Sequence, residues 1–251
     1  RTKANVWQEE EKSVLIDSYL NAGARAVREC VPDALVAIHL DTLNLSIYKD
    51  AMNAWERDKV DYDVLGSSSY AFWAGKNMLG NVRKAGNYVA SRGKLFAVLE
   101  TSWLNSQKDA DGTVNMVNNT KDAVYKVGPQ GQADMLSDLY DAILSNDNGL
   151  GAFYWEGAWI PVKAGWVNWK YNKEMANEFG TGWATENAGG YYPKSKLYYN
   201  GNPVWGGDSW DNQTLFDDKG YPLDSLRFYK DAVSSNEKYS RVVIALCDKE
   251  N

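Results

Sequence analysis

Four short apolar runs recur along the chain, each separated from the next by a longer stretch in which apolar residues return every third or fourth position. The runs are ALVAIHLD at 34–41, VDYDVLG at 60–66, KLFAVLE at 94–100 and GLGAFYWE at 149–156. Their nearly unbroken apolar character predicts strands buried on both faces. The helical stretches run from Leu45 to Arg57, from about Met78 to Ala90 with Gly93 as a stop, and from Gln130 to Leu144. In the last of these, Met135, Leu136, Leu139, Tyr140, Ile143 and Leu144 fall on one face. Ahead of the first run, residues 7–29 set Val14, Leu15, Tyr19, Ala22, Ala26 and Val27 at helical spacing behind the acidic Glu9, Glu10 and Glu11, and Pro32 and Asp33 end that helix.

Apolar strand, helix, apolar strand means βα units and a parallel sheet, an α/β fold with its polar groups gathered at the carboxyl ends of the strands. Those ends read His39 and Asp41, then Ser67, Ser68, Ser69 and Tyr70, then Glu100, then Trp155 and Glu156. An eight-stranded (β/α)8 barrel takes about 250 residues, yet four strands and about four helices are visible. Either the sheet is open or the other half of a barrel lies outside this sequence. Much of the length goes to the segment 157–222, which has patchy periodicity but contains Trp159, Trp166, Trp169, Trp183, Trp205 and Trp210. Loops beyond about 15 residues are functional or disordered, and disordered linkers lack aromatics. The segment is therefore expected to fold over the sheet edge as one wall of a groove.

Composition narrows the partners. The 251 residues carry a formal net charge of -6 with no block of Lys or Arg, which argues against nucleic acid or an anionic membrane surface. Trp (11) and Tyr (16) far outnumber Phe (6), favouring rings that both stack and hydrogen-bond. A single histidine, His39, excludes a multi-histidine zinc site. Cys30 and Cys247 are compatible with one disulfide or two free thiols. No apolar run approaches the roughly 18 residues of a spanning helix, and a start at Arg1 predicts a processed or truncated amino terminus.

Carboxylates at one sheet edge, ringed by Trp and Tyr, suit the cleavage of glycosidic bonds, which needs an acid for the leaving oxygen and a second carboxylate to attack or to activate water. Asp41, Glu100 and Glu156 occupy that edge. Glu156 either pairs with Glu100 or holds a backbone amide or an arginine. In the loop after Glu100, DADGTVN places Asp109, Asp111, Thr113 and Asn115 at alternate positions, the spacing by which a tight loop turns oxygens onto a hard cation. A plain Asp/Gly turn has the same spacing, and Gly112 in the fourth position with Thr120 in the twelfth rules out an EF-hand.

Taken together, ALVAIHLD, VDYDVLGSSSYAFW, AVLETSW, VGPQGQADML and GLGAFYWEGAWIPV, with FGTGWATE and WDNQTLFDDKGYPLDSL further on, resemble family 53 of the glycoside hydrolases, the endo-β-1,4-galactanases, bacterial members above all. The resemblance runs from about Trp7 to Val233. It implies a (β/α)8 TIM barrel that cleaves β-1,4-galactan with retention. The visible strands would be strands 5 to 8, residues 1–233 the carboxyl-terminal part of the barrel, and 234–251 an extension of unknown role. Glu100 in LETSW matches the nucleophile. Asp109, Asp111, Thr113 (through its main-chain carbonyl) and Asn115 match a calcium site, and no organic cofactor is implied. His39, Tyr70 and Trp155 match residues lining the cleft, Trp73 falls in the same strand-end motif, Trp183 matches a Trp that stacks on sugars, and Trp205 is a second such candidate. The partner is galactan or a galacto-oligosaccharide, and the polymeric substrate implies a secreted or cell-surface protein.

Departures accompany the match. The family's acid/base motif, an apolar strand ending in Asn-Glu, is absent, since Asn177-Glu178 and Asn236-Glu237 follow no strand; Ala71 and Gly157 stand where the family usually has Pro. The first half of the barrel is thus expected from an unseen segment or another chain. Two rival readings are a non-catalytic carbohydrate-binding protein and a glycosidase of other specificity, such as a β-mannanase or β-glucanase.

Overall fold

The computed structural model describes residues 6–110, 115–159, 198–199, 202–203 and 209–235. Helix α1 (Glu10–Cys30), strand β1 (Ala37–Leu40), helix α2 (Leu45–Arg57), strand β2 (Val64–Ser68), the one-turn helix α3 (Ala71–Ala74), helix α4 (Met78–Ser91), strand β3 (Leu95–Thr101), helix α5 (Pro129–Ile143) and strand β4 (Gly149–Tyr154) follow one another. The four strands form one parallel sheet in the order β1-β2-β3-β4. Every predicted strand and helix forms, although β1 begins at Ala37 rather than at 34. Further on, β5 (Tyr198–Tyr199) pairs antiparallel with β6 (Asn202–Pro203), and helix α6 (Phe228–Ser235) closes the described part.

Local chemistry sets the boundaries. Asn44 caps α2 by accepting a hydrogen bond from Ser46 N at 2.9 Å. Gly93 stops the turn after α4 with a φ of 69° that a side chain would strain, and its N–H closes on Ala90 O at 2.9 Å.

Alternation along the strands then divides the sheet into two unlike faces. Leu65, Phe96 and Val98 are fully buried among Tyr48, Met52 and Trp55 of α2, Val82 and Val89 of α4, and Met135, Leu136 and Leu139 of α5. On the opposite face Ala37 and His39 are exposed, Leu99 is half-buried and Phe153 remains 50% exposed. Burial on both faces, expected from the apolar runs, is realised in the central strands, where Val64 and Ala97 of the second face are each 3% exposed, but not at Ala37, His39 or Phe153. Gly66 lies on the open face, where an added Cβ would come within 2.2 Å of Leu99 Cδ1; only glycine leaves room for that side chain.

Helix α1 reverses its expected orientation. Its buried residues are Ser13, Asp17 and Ala24, whereas Leu15 is 55% and Tyr19 68% exposed, with Ala22 and Ala26 also at the surface. Polar contacts hold it to the body. Arg57 Nη2 donates to Ser13 Oγ at 2.7 Å, and Asn21 Oδ1 accepts from Asp61 N at 3.0 Å. Burial beside Asp58 pushes the Asp17 carboxyl up to about 6. Cys30 is exposed at the end of this helix; Cys247 and the rest of the carboxyl-terminal extension after 235 lie outside the described residues. No helix among the described residues is long and apolar enough to cross a membrane.

Candidate functional site

The carboxyl ends of β1, β2 and β3 converge on Glu100. Strict alternation from Phe96 and Val98 would turn residue 100 into the helix layer, but the register with β2 shifts between Ser67 and Ser68 so that Ser68 faces Glu100. A second irregularity lies between Val98 and Thr101 in the pairing with β4. Thr101 returns to the helix side, its hydroxyl against Met135 Sδ at 3.8 Å. Bulges at sheet edges re-aim side chains in this way, and here the re-aimed side chain is the glutamate.

Two hydroxyls hold it. Ser68 Oγ and Tyr70 OH each donate to Glu100 Oε2 at 3.0 Å, while Oε1 has no hydrogen-bond partner among the described residues. Ser69 N bonds Glu100 O at 2.9 Å, tying the loop after β2 to the end of β3. His39 Nε2 lies 2.9 Å from Ser68 Oγ, so His39 reaches the glutamate through the serine. Below this layer Tyr48 OH donates to Ser67 Oγ (2.7 Å), which donates to Thr42 O (2.6 Å); burial raises the Tyr48 phenol to about 12.

A cleft of about 820 Å³ opens above, lined by Asp41, Ser68, Tyr70, Trp73, Glu100, Trp155 and Trp210 together with residues of the β1–α2 loop and Asn81 and Lys84 of α4. Tyr70 stacks on Phe72 with ring centroids 5.1 Å apart and meets Trp73 edge-on at 5.0 Å. Trp73 is 65% exposed and meets Trp210 at 5.9 Å; Trp210 in turn packs on Trp155 at 5.5 Å, and Trp155 on Trp159 at 5.5 Å. The result is an exposed ring supported by buried ones beside a carboxylate, suited to an apolar sugar face.

Trp210 belongs to a segment fastened by a buried amide. Gln132 Nε2 lies 2.9 Å from both Trp103 O and Thr214 O, its Oε1 accepts from Ser225 Oγ at 2.7 Å, and Tyr154 OH donates to Gln213 O at 2.7 Å. Burial of the hydroxyl pushes the Tyr154 phenol up. Ser102 Oγ adds a bond to Gln213 Oε1. At this described end of the aromatic segment Trp210 lines the cleft.

Of the predicted residues, Glu100, Tyr70, Trp73 and Trp155 meet in the cleft, and His39 stands behind Ser68. Glu156 does not join them. It is exposed, has a left-handed φ of 50°, and makes no side-chain hydrogen bond among the described residues; Asp41 is the carboxylate that shares the cleft with Glu100. Trp183 and Trp205 lie outside the described residues, as do Asp111 and Thr113. Ser68 and Trp210 had only generic signals in the sequence, one serine among three and one Trp among many.

The loop after Glu100 is described at its two ends. Asp109 is exposed, whereas Asn115 is 4% exposed, with Nδ2 donating to Lys108 O at 2.8 Å and its buried Oδ1 without a hydrogen-bond partner among the described residues. A buried amide oxygen in that condition suits a hard cation. No cluster of three or more His, Cys, Asp or Glu able to hold a metal occurs among the described residues. Met116 N donates to Ser209 O at 2.8 Å and Asn212 Nδ2 to Val117 O at 3.1 Å, so the segment containing the buried Asp211 docks against this loop.

A family model described as glycosyl hydrolase family 53 matches residues 2–229. The chain is 36% identical over 221 residues to an endo-β-1,4-galactanase of Bacillus subtilis, covering 86% of this chain and 49% of that protein. Among solved structures it is similar to an Ignisphaera aggregans GH53 catalytic domain, with a TM-score of 0.65 at 26% identity over 92% of this chain and 52% of that one. A structure of fungal β-1,4-galactanases shares the fold at a TM-score of 0.55 and 21% identity, over 86% of this chain and 54% of that one. The chain thus spans about half the length of these relatives, and its parallel βα units are of the α/β TIM-barrel type.

Proposed function

Because the chain belongs to glycosyl hydrolase family 53, we propose that it is the carboxyl-terminal half, strands 5 to 8, of a retaining endo-β-1,4-galactanase, with Glu100 as its nucleophile. The observation that carries this reading is the held carboxylate: two hydroxyls fix Oε2 of Glu100, and Glu100 lines an aromatic-walled cleft. Retention requires a carboxylate that attacks the anomeric carbon and an acid about 5–5.5 Å away that protonates the leaving sugar, then serves as base when water releases the glycosyl-enzyme. Glu100 does the first. The second is supplied by the segment that covers the open face of the sheet, from outside this sequence, since no strand among the described residues ends in Asn-Glu. Trp73 stacks on a galactosyl ring beside the scissile bond. The Trp183 and Trp205 positions extend the platform.

Calcium fits the loop after the nucleophile. Asp109, Asp111, Asn115 through its orphaned Oδ1, and the Thr113 carbonyl would hold it, an all-oxygen donor set. The ion would supply rigidity to that loop and take no part in the chemical step. Polymeric galactan also requires action outside the cell, so a secreted or cell-surface location belongs to the same reading.

The test is reducing-end release from β-1,4-galactan by the protein, with Glu100→Gln alongside. Loss in the variant of at least about 10⁴-fold is expected. Equal rates would overturn the assignment of Glu100, and preferential cleavage of a β-mannan or β-glucan would overturn the substrate. Galactan binding without cleavage in either protein would favour the carbohydrate-binding alternative, for which the missing Asn-Glu motif speaks.

A further inference from the structure

We infer that His39 is a positioning residue that acts through Ser68, its ring proton deciding where the serine hydrogen points and so which oxygen of Glu100 is free to react. The inference deepens the nucleophile assignment above and rests on it. The argument counts hydrogens. A serine hydroxyl has one hydrogen and a carboxylate has none. Ser68 Oγ lies 3.0 Å from Glu100 Oε2 and 2.9 Å from His39 Nε2. If the serine hydrogen goes to the carboxylate, the bond to the histidine must run the other way, from an Nε2 that carries a proton. The Nδ1–H tautomer would instead present a lone pair at Nε2 and draw the same hydrogen away from Glu100.

The second donor cannot compensate. Tyr70 places its only hydroxyl hydrogen on Oε2 as well, and its ring is fixed by the stack on Phe72 and the edge of Trp73. Ser68 is thus a donor to the carboxylate whose direction is set by a neighbour, His39. Three adjacent strands contribute one member each, His39 from β1, Ser68 from β2 and Glu100 from β3, and the shift in register at Ser67/Ser68 brings the last two together. With both hydrogens on Oε2, the carboxylate plane is fixed and Oε1 is the attacking atom. Losing the serine bond releases that orientation, and orientation of a reacting group carries much of the rate.

The chain has a single histidine, so nitrogen NMR of protein carrying ¹⁵N-histidine reports this ring alone and requires no turnover. The neutral ring of the wild type is expected to carry its proton on Nε2, with the Nδ1–H form becoming populated in Ser68→Ala. In parallel, an activated 2-deoxy-2-fluoro-β-galactoside with a dinitrophenolate leaving group labels a nucleophile without help from an acid. Intact mass and peptide mapping should place the sugar on Glu100. Ser68→Ala should slow labelling about 10- to 100-fold, the usual worth of a hydrogen bond to a charged group. Ser68→Thr should restore it, and His39→Gln, which keeps a donor nitrogen, should recover what His39→Leu loses. An Nδ1–H tautomer in the wild type, or a Ser68→Ala protein unchanged in both tautomer and labelling rate, would overturn the relay. A wild type that is not labelled overturns the nucleophile assignment and the positioning role with it, while the nitrogen spectrum shows separately whether the hydrogen-bonded chain exists.

Discussion

The two faces of the central sheet contrast sharply. On the helix side, Leu65, Phe96 and Val98 have no exposed surface and share one core with α2, α4 and α5. On the other side, His39 and Phe153 face outward, and helix α1 likewise turns Leu15 and Tyr19 away from the body. A side chain buried on the helix side contributes about 1.5–3 kcal/mol by leaving water; one left on the open side contributes little until something covers it. Local βα units thus complete one layer by themselves, and on the half-barrel reading proposed above the second layer would come from strands that close the barrel. The difference also bears on the proposed chemistry, because Glu100 lies at the strand ends where the cleft opens.

The contrast is broken most directly by paired truncations. Phe96→Ala should lower the unfolding free energy by about 3–5 kcal/mol in urea, whereas Phe153→Ala should cost less than about 1 kcal/mol in this chain. Equal losses would mean that the open face is packed in solution.

A smaller effect should come from the loop beyond the strand ends, which belongs to neither face. Chelation should lower Tm by a few degrees, as removal of a ligand that binds only the folded state must. Asn115→Ala should abolish that dependence on calcium, and a Tm indifferent to chelator in the wild type would remove the metal site.

The smallest effect is expected beneath α1, where the closed layer borders the exposed stripe. Folded Asp17 keeps its proton up to about 6, while its ordinary value is 3.8. Between these values the folded state binds more protons than the unfolded chain, so this group's contribution is complete below about pH 4 and is lost as pH rises through 6. The opposite shift of Asp58, held down by the Arg57 guanidinium, acts below 3.8 and leaves that window alone. Asp17→Asn should therefore stabilise the protein at pH 7 and lose its advantage at pH 4 in thermal melts; a constant difference at both would contradict the burial of this carboxyl.

The residues themselves determined the order of strands and helices, because unbroken apolar runs and helical spacing are local patterns that the backbone obeys within a few residues. They determined Glu100 as well, since a carboxylate directly after an apolar strand can only fall at the carboxyl edge of a parallel sheet. The tertiary structure alone decided that Asp41 rather than Glu156 shares the cleft, that Ser68 links His39 to the glutamate, and that the apolar stripe of α1 faces outward. Each of these depends on register between strands or on what lies across from a face, and a shift of one residue reverses the direction of every side chain beyond it. Such distances join positions remote in sequence, as His39, Ser68 and Glu100 are, and no local pattern along the chain contains them.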